Sequence, residues 1–264
     1  MVSDLAAQTT DGYAKIVRIK GAARYSQPGG TWNQAPKVGD VLPPGTVVQT
    51  GMEKGSYMDI VLVQGDAVGT PMTFNAGGPT TAAAGSAMSF RSTSEQNIVR
   101  VTENTALGID KLTVQNTGAD LVTDTQLDLK KGRIVGNVKK MSPASRYEIK
   151  IPNGVAGIRG TLFDLSSAGV LAVGRGTVVL AFTKDGVTST QVVTANELYD
   201  ALQQQLTTLT ASQVNYFNAI LQQMGFTGPV TTSSTISLDQ TVRRVSPTTG
   251  DQGSGGGEGG GVEE

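Results

Sequence analysis

The stretch Gly157-Ile158-Arg159-Gly160-Thr161-Leu162-Phe163-Asp164-Leu165 limits what this chain can fold into more than any other. Phe163 and Leu165 alternate with Asp164, the two-residue period of a half-buried strand. A strand is predicted before it at 147–151, then a turn at Pro152-Asn153-Gly154, and a further strand within 170–182. Gly157 and Gly160 stand where a Cβ would come between neighbouring strands, which predicts a bulge or a close backbone approach. Arg159 is the one cation of the segment and cannot shed its charge, so a carboxylate or carbonyl partner is expected for it. By the same reasoning Gly160→Val should crowd the adjacent strands and destabilise the fold.

Composition narrows the rest. Of 264 residues 38% are hydrophobic but only 5% aromatic, and 34 are glycine. The core must therefore be built from Val, Ile and Leu, in many short strands and turns. With 21 basic and 22 acidic residues the net charge is -1, which creates no long-range field toward nucleic acid or an anionic membrane. The clusters Lys130, Lys131, Arg133 and Lys139, Lys140 read as solvated hairpin faces. The chain has no cysteine and no histidine. Disulfides, zinc–thiolate and iron–sulfur sites, histidine-ligated metals and the Ser-His-Asp and Cys-His nucleophile systems are thereby excluded within it, and no cofactor is expected. No apolar run approaches the ~20 residues that span a bilayer. Met1-Val2-Ser3-Asp4 looks like an initiator set before a mature end. A removed export signal, and so a periplasmic or extracellular location, is the expectation.

Taken in order, residues 1–13 read as a polar arm. Strands are predicted at 14–19 and 22–25, then a Pro/Gly loop carrying the only tryptophan, Trp32. Trp32 reads either as a lid on the core or as a sugar-stacking ligand contact. In 57–63 the apolar residues fall on both faces, so both should be covered. Residues 71–96 form an Ala/Gly/Ser/Thr-rich insertion loop, either functional or an ordinary insert. Strands are then predicted at 97–101, 107–114, 121–129, 134–138 and 147–151, and a hairpin closes at Asp185-Gly186. At Thr194 the period changes. Thr194-Ala195-Asn196-Glu197 and Thr210-Ala211-Ser212-Gln213 both fit the capping box. They predict a helical hairpin over 196–226, with Leu198, Leu202, Leu206 and Leu209 on one helix and Val214, Phe217, Leu221 and Met224 on the other. Gly225 fits the C′ position. Residues 227–245 read as a return segment, and 246–264 as a disordered Gly/Glu tail.

Val155-Ala156-Gly157-Ile158-Arg159-Gly160-Thr161-Leu162-Phe163-Asp164-Leu165 resembles the C-terminal signature of the FecR-domain family: arginine-glycine-threonine, then phenylalanine two residues on. The residues carrying it are Gly157, Arg159, Gly160, Thr161 and Phe163. Ile19, Gly21, Trp32, Gly39, Leu42, Gly45 and Thr50 fall in that family's order, and Gly132 matches the glycine opening the strand before the signature. The resemblance spans roughly residues 14–195. It implies an all-β, non-enzymatic domain outside the inner membrane; in iron-responsive regulators such a domain relays transporter occupancy to a sigma factor. The chain departs from that pattern in showing no sigma-binding helical region, no membrane helix and no small α/β domain after the signature. The expected architecture is an all-β, short-stranded sandwich or solenoid-like core with a C-terminal helical hairpin.

Other chemistry finds little footing. Residues 154–161 lack the lysine and the following helix of a phosphate loop, and a Gly-x-Ser-x-Gly elbow is absent. Asp120, Asp124 and Asp128 share a face at four-residue spacing, but spread over roughly 25 Å of strand they make a poor glycosidase pair. Three functions follow in order. The first is a binding module for a protein or an envelope glycan, with Trp32 as candidate contact. The second is a self-assembling envelope subunit, and the third a polysaccharide-active enzyme.

Overall fold

Strands that pass from one layer to another without ending organise this molecule. The computed structural model describes residues 9–33, 35–64, 97–117 and 120–225. Its strands are β1 (Thr9–Asp11), β2 (Tyr13–Lys20), β3 (Ala23–Ser26), β4 (Trp32–Asn33), β5 (Val41–Leu42), β6 (Thr46–Thr50), β7 (Tyr57–Val63), β8 (Asn97–Val101) and β9 (Ala106–Asn116). They continue with β10 (Leu121–Lys131), β11 (Arg133–Asn137), β12 (Arg146–Ile151), β13 (Gly154–Ser166), β14 (Val170–Lys184), β15 (Val187–Thr194), β16 (Glu197–Asp200) and β17 (Gln205–Thr208). One helix follows, α1 (Ala211–Met224). The fold is all-β with a C-terminal helix.

Hydrogen-bonded pairing joins these strands into a sheet that closes on itself, and the pairings divide it into two facing layers. The first runs β5-β2-β7-β8-β11, then the second half of β13, the first half of β14, β16 and β17. The second runs β4-β3-β6-β9-β10-β12, then the first half of β13, the second half of β14 and β15. β13 and β14 thus belong to both. Gly154–Gly157 pairs with β12, while Leu162–Ser166 pairs with β11.

The change of layer happens at glycines with positive φ. In β13 it is Gly160, at +61°, inside a register shift between Arg159 and Leu162; in β14 it is Gly176, at +86°. Gly21 and Gly132 turn the chain in the same way between β2 and β3 and between β10 and β11. An L side chain is strained at such φ. At Gly176 space also forbids one, since a Cβ there would stand 2.4 Å from the Gly160 carbonyl oxygen. Thr161 completes the corner. It is 1% exposed, and its hydroxyl lies 3.0 Å from the Arg159 carbonyl and 2.9 Å from the Thr177 carbonyl, acceptors at the irregular part of the ladder.

Two cores result. Between the layers pack Ile16, Ile60, Leu107, Ile109, Leu127, Phe163 and their neighbours. Phe163 is completely buried over Gly136, where a Cβ would come within 2.3 Å of its ring. The outer side of the first layer carries Val17, Val61, Val63, Ile98, Val135 and Leu162, and α1 covers it with Val214, Phe217, Ile220, Leu221 and Met224. That explains why β7 is buried along both faces. Each such side chain contributes ~2 kcal/mol by leaving water.

Several expectations change. Residues 196–209 are not the first helix of a hairpin but the strands β16 and β17. Glu197 does accept a hydrogen bond from the Thr194 amide, one half of a capping box, but the Thr194 hydroxyl donates to the same carboxylate instead of accepting from the Glu197 amide. Asn196, however, takes φ +68°, and the chain turns back as a strand. Pairing of Glu197–Asp200 with the first half of β14 outweighs a local preference worth ~1 kcal/mol. Leu202 and Leu206 are consequently exposed. The second box behaves as expected: Thr210 caps α1 reciprocally with Gln213, and Gly225 closes it at φ +85°. Thr9–Asp11 of the predicted arm is strand β1, paired with β9. Gly157 needs no special room, since a Cβ there would meet its nearest atom at 3.8 Å. Asp164 is buried, not half-exposed. The insertion 71–96, the return segment 227–245 and the tail 246–264 lie outside the described residues.

Gly160→Val remains destabilising, for backbone strain more than crowding: its nearest neighbour would be the Lys140 Cα, at 3.3 Å. Gly176→Val should be worse, because strain and overlap add. Losses of about 2 kcal/mol and about 4 kcal/mol are expected, read as shifts of the urea midpoint; equal stability of Gly176→Val and wild type would refute the corner.

Candidate functional site

The face of the first layer under α1 carries buried charge among its apolar side chains. Asp59 on β7 and Arg100 on β8 are register partners. The Arg100 Nε and Nη2 donate to the two Asp59 oxygens at 2.7 and 2.8 Å, with side chains 3% and 0% exposed. Arg18 on β2 approaches the same carboxylate at 3.5 Å. Arg100 Nη1 donates to Gln223 Oε1 of α1 at 2.6 Å, and its guanidinium lies 4.0 Å from the centre of the Tyr57 ring. Burial pulls the Arg100 pKa down, but hydrogen bonding and attraction from Asp59 more than offset it, and the net shift is upward.

A second pair lies beside it. Arg133, just after the Gly132 corner, donates through Nε and Nη2 to both oxygens of Asp164. Its side chain is 48% exposed, that of Asp164 5%. The Arg133 guanidinium stacks over Tyr216 of α1 at 5.0 Å. Burial raises the Asp164 carboxyl above its ordinary value, with Arg133 opposing the rise. Burial also raises the Tyr216 hydroxyl.

Between α1 and the ends of these strands opens a cavity of about 480 Å³, bordered by Lys20, Lys54, Tyr57, Arg100, Arg133 and Tyr216. A smaller space of about 300 Å³ adjoins Asp164, Arg133 and Tyr216 from the Leu198 and Phe217 side. Sequence reading missed this site. Asp59, Arg100 and Arg133 sit on three strands far apart in the chain, and only an arginine alternating with valines in 97–101 hinted at it.

The predicted site residues lie elsewhere. Gly160, Thr161 and Phe163 build the corner and the inter-layer core. Arg159 is exposed, and its side chain has no hydrogen bond or ion pair among the described residues, so the partner expected for it is not among them. The bend at Gly160 leaves its side chain on the outside of the second layer instead. Trp32 is half-buried on β4, with the Arg24 guanidinium 4.6 Å from its ring centre; it does not border the α1 cavity. Asp124 pairs with Lys111 at 2.7 Å, Asp128 with Lys130, and Asp120 accepts from Ser142. Three acids held by three different neighbours do not converge on one reacting bond. Among the described residues no three acidic groups gather closely enough to hold a metal ion, and no helix is long and apolar enough to cross a membrane.

This is an all-β module whose best-built features are held charges and a cavity. The FecR protein family model matches residues 80–194. The chain is similar to that family over this stretch, and the match covers less than half of its length. It includes the Gly132, Gly160 and Gly176 corners, and leaves the N-terminal Gly21 to Thr50 pattern outside. No curated protein matches the chain. Two crystal structures of a candidate anti-sigma factor from Parabacteroides distasonis ATCC 8503, at 1.65 and 2.50 Å resolution, are similar to it at 12% identity. Their TM-scores are 0.34 and 0.33, and each similarity covers 45% of this chain and 54% of the other. The chain thus spans about half the length of those structures, at a likeness too slight to carry an inference.

Removing one partner of a buried pair strands the other. Arg100→Met should cost about 3–5 kcal/mol by chemical denaturation, mostly through Asp59; a cost below about 1 kcal/mol would mean the pair is solvated. For Asp164 the sign is set by its raised pKa. Its contribution to stability is full below the ordinary carboxyl value and is lost as pH climbs through the folded value. Arg133→Met deepens that loss, so its deficit against wild type should be larger at about pH 7.5 than at about pH 4. An equal deficit at both would show that Asp164 does not titrate as argued.

Proposed function

We propose that this protein is a non-catalytic module of a signalling system, and that it works by binding a protein partner outside the inner membrane. The observation that carries the reading is the FecR match over 80–194, a family whose resemblance implies regulatory and not catalytic work. The composition supports it, with no histidine or cysteine to supply a common acid–base or nucleophile system. Arg159 supports it too. Gly160, Thr161 and Phe163 of the signature each have a structural task, whereas the exposed Arg159 side chain has no partner among the described residues, as a contact residue would.

A second reading is self-assembly through a sheet edge. It is favoured by β15, which among the described strands pairs along β14 alone and carries Val192, 50% exposed, opposite Val179, 42% exposed. An unpaired edge with an apolar face is a template for another strand. An envelope polysaccharide stacked on Trp32 is the further alternative.

The test is to purify the tagged chain with whatever it holds and to rebuild the complex from pure components. The expected result is a stoichiometric protein complex that Arg159→Glu weakens at least about tenfold. The same change should move the melting temperature by less than about 2 °C, as befits an exposed site. Failure to find such a complex, with glycan binding that Trp32→Ala abolishes, would replace the protein by a polysaccharide. Mass that rises with concentration and falls back in a Val192→Lys variant would establish the edge instead.

A further inference from the structure

The cavity under α1 goes beyond that reading. We propose that it binds a small ligand through an oxyanion, a carboxylate or a phosphate. Its size, about 480 Å³, lies within the range of small-molecule sites. Its border holds four cations, Lys20, Lys54, Arg100 and Arg133, and one acid, Glu103. Asp59 and Asp164 stand behind the two arginines, and with them included the cations still outnumber the carboxylates. The chain as a whole carries a net charge of -1, so the surplus is local.

The four cations divide into two kinds. Arg100 gives one N–H from each of Nε, Nη1 and Nη2 to Asp59 and Gln223. Arg133 spends Nε and Nη2 on Asp164 and keeps Nη1. Both guanidiniums are held by carboxylates and by tyrosine faces, so their positions are set before a ligand arrives, while the net positive charge comes from the two lysines. Lys20 and Lys54 are exposed and have no hydrogen bond or ion pair among the described residues. The Lys20 Nζ lies beside the turn that carries Lys54, since a Cβ on Gly55 would stand 3.8 Å from it. Two lysines on the border of one concave site, with no ion pair of their own among the described residues, are suited to an anion. Ser56 borders the same end; it is 2% exposed, and its hydroxyl has no hydrogen-bond partner. That oxygen packs beside Gly21, and a χ1 rotation would be needed to turn it to a ligand. Tyr57 and Tyr216 give the rest of the wall its apolar surface, room for a small ring attached to the anion.

The experiment uses the full chain at low ionic strength, followed by NMR amide shifts. The probes are inorganic phosphate, D-galacturonate and, as the uncharged counterpart, D-galactose. The expected result is saturable shifts centred on Gly55, Asn104 and Gly132 with at least one anion. Phosphate alone would mark a phosphate site, galacturonate alone a carboxylate site, and either supports the proposal. A Lys20→Glu/Lys54→Glu variant should bind at least about tenfold more weakly while keeping the wild-type melting temperature, because both side chains are exposed. Added salt should weaken binding, since the lysines are not shielded from counterions. No saturation with either anion overturns the proposal. So do equal binding by the double variant, equal binding of galactose, or shifts centred on Lys139, Lys140 and Arg159 instead. Because the partner test of the previous subsection reads Arg159 and this one reads Lys20 and Lys54, either reading can fail alone.

Discussion

The fold depends on a constraint at its corners: a strand can serve two layers only where one residue bends it and the freed peptide groups find partners. Gly160 and Gly176 lie against each other, so that the bends in β13 and β14 nest backbone to backbone. Thr161 offers its single hydroxyl proton to the two carbonyls there, those of Arg159 and Thr177. The arginine-glycine-threonine sequence is intelligible in those terms. Glycine supplies the backbone conformation, threonine the hydrogen bond, and the next aromatic residue returns the chain to the core. Arginine alone is left with no structural duty.

On that frame the layer beneath α1 becomes a surface buried from both sides. Such a layer is normally all apolar. Here it includes Asp59, Arg100 and Asp164, with Arg133 at its margin. Ions of this kind seldom add net stability over apolar substitutes. What they do is fix positions. Arg100 joins β7 and β8 to Gln223, and Arg133 joins β11 and β13 to Tyr216. The helix is thereby registered on the sheet by polar contacts as well as by its leucine and phenylalanine face.

Much of this was legible before any coordinates. The alternation of Val, Ile and Leu with polar residues located most strands, and Asp185-Gly186 and Pro152-Asn153 located two hairpin turns. The doubly apolar 57–63 announced a strand covered on both faces. Thr210 and Gly225 bounded the helix correctly, because nothing in the tertiary structure competes for that segment. Thr194 and Glu197 misled for the opposite reason. Half of their box forms, but the edge of β14 offers 197–200 a ladder, and a four-residue motif cannot report a strand that waits some 25 residues upstream. The cavity was invisible on similar grounds. Lys20, Lys54, Arg100, Arg133 and Tyr216 carry no common spacing, and they are gathered by the pairing of β2 with β7, β7 with β8 and β8 with β11 and by the docking of α1 on that layer.

The manner in which α1 is attached has a consequence of its own. Every described strand is tied to its neighbours by main-chain ladders, whereas among the described residues no main-chain to main-chain hydrogen bond joins the helix to the sheet. Lifting it would break no ladder, yet would wet Val61, Ile98 and Leu162 and admit water to the Asp59–Arg100 pair. The molecule therefore has two tiers of opening: a partial one, in which the helix amides exchange while the sheet stays closed, and a global one. The lower tier is the natural place for anything held between helix and sheet to be felt, because whatever occupies that space subtracts directly from the population of the lifted state.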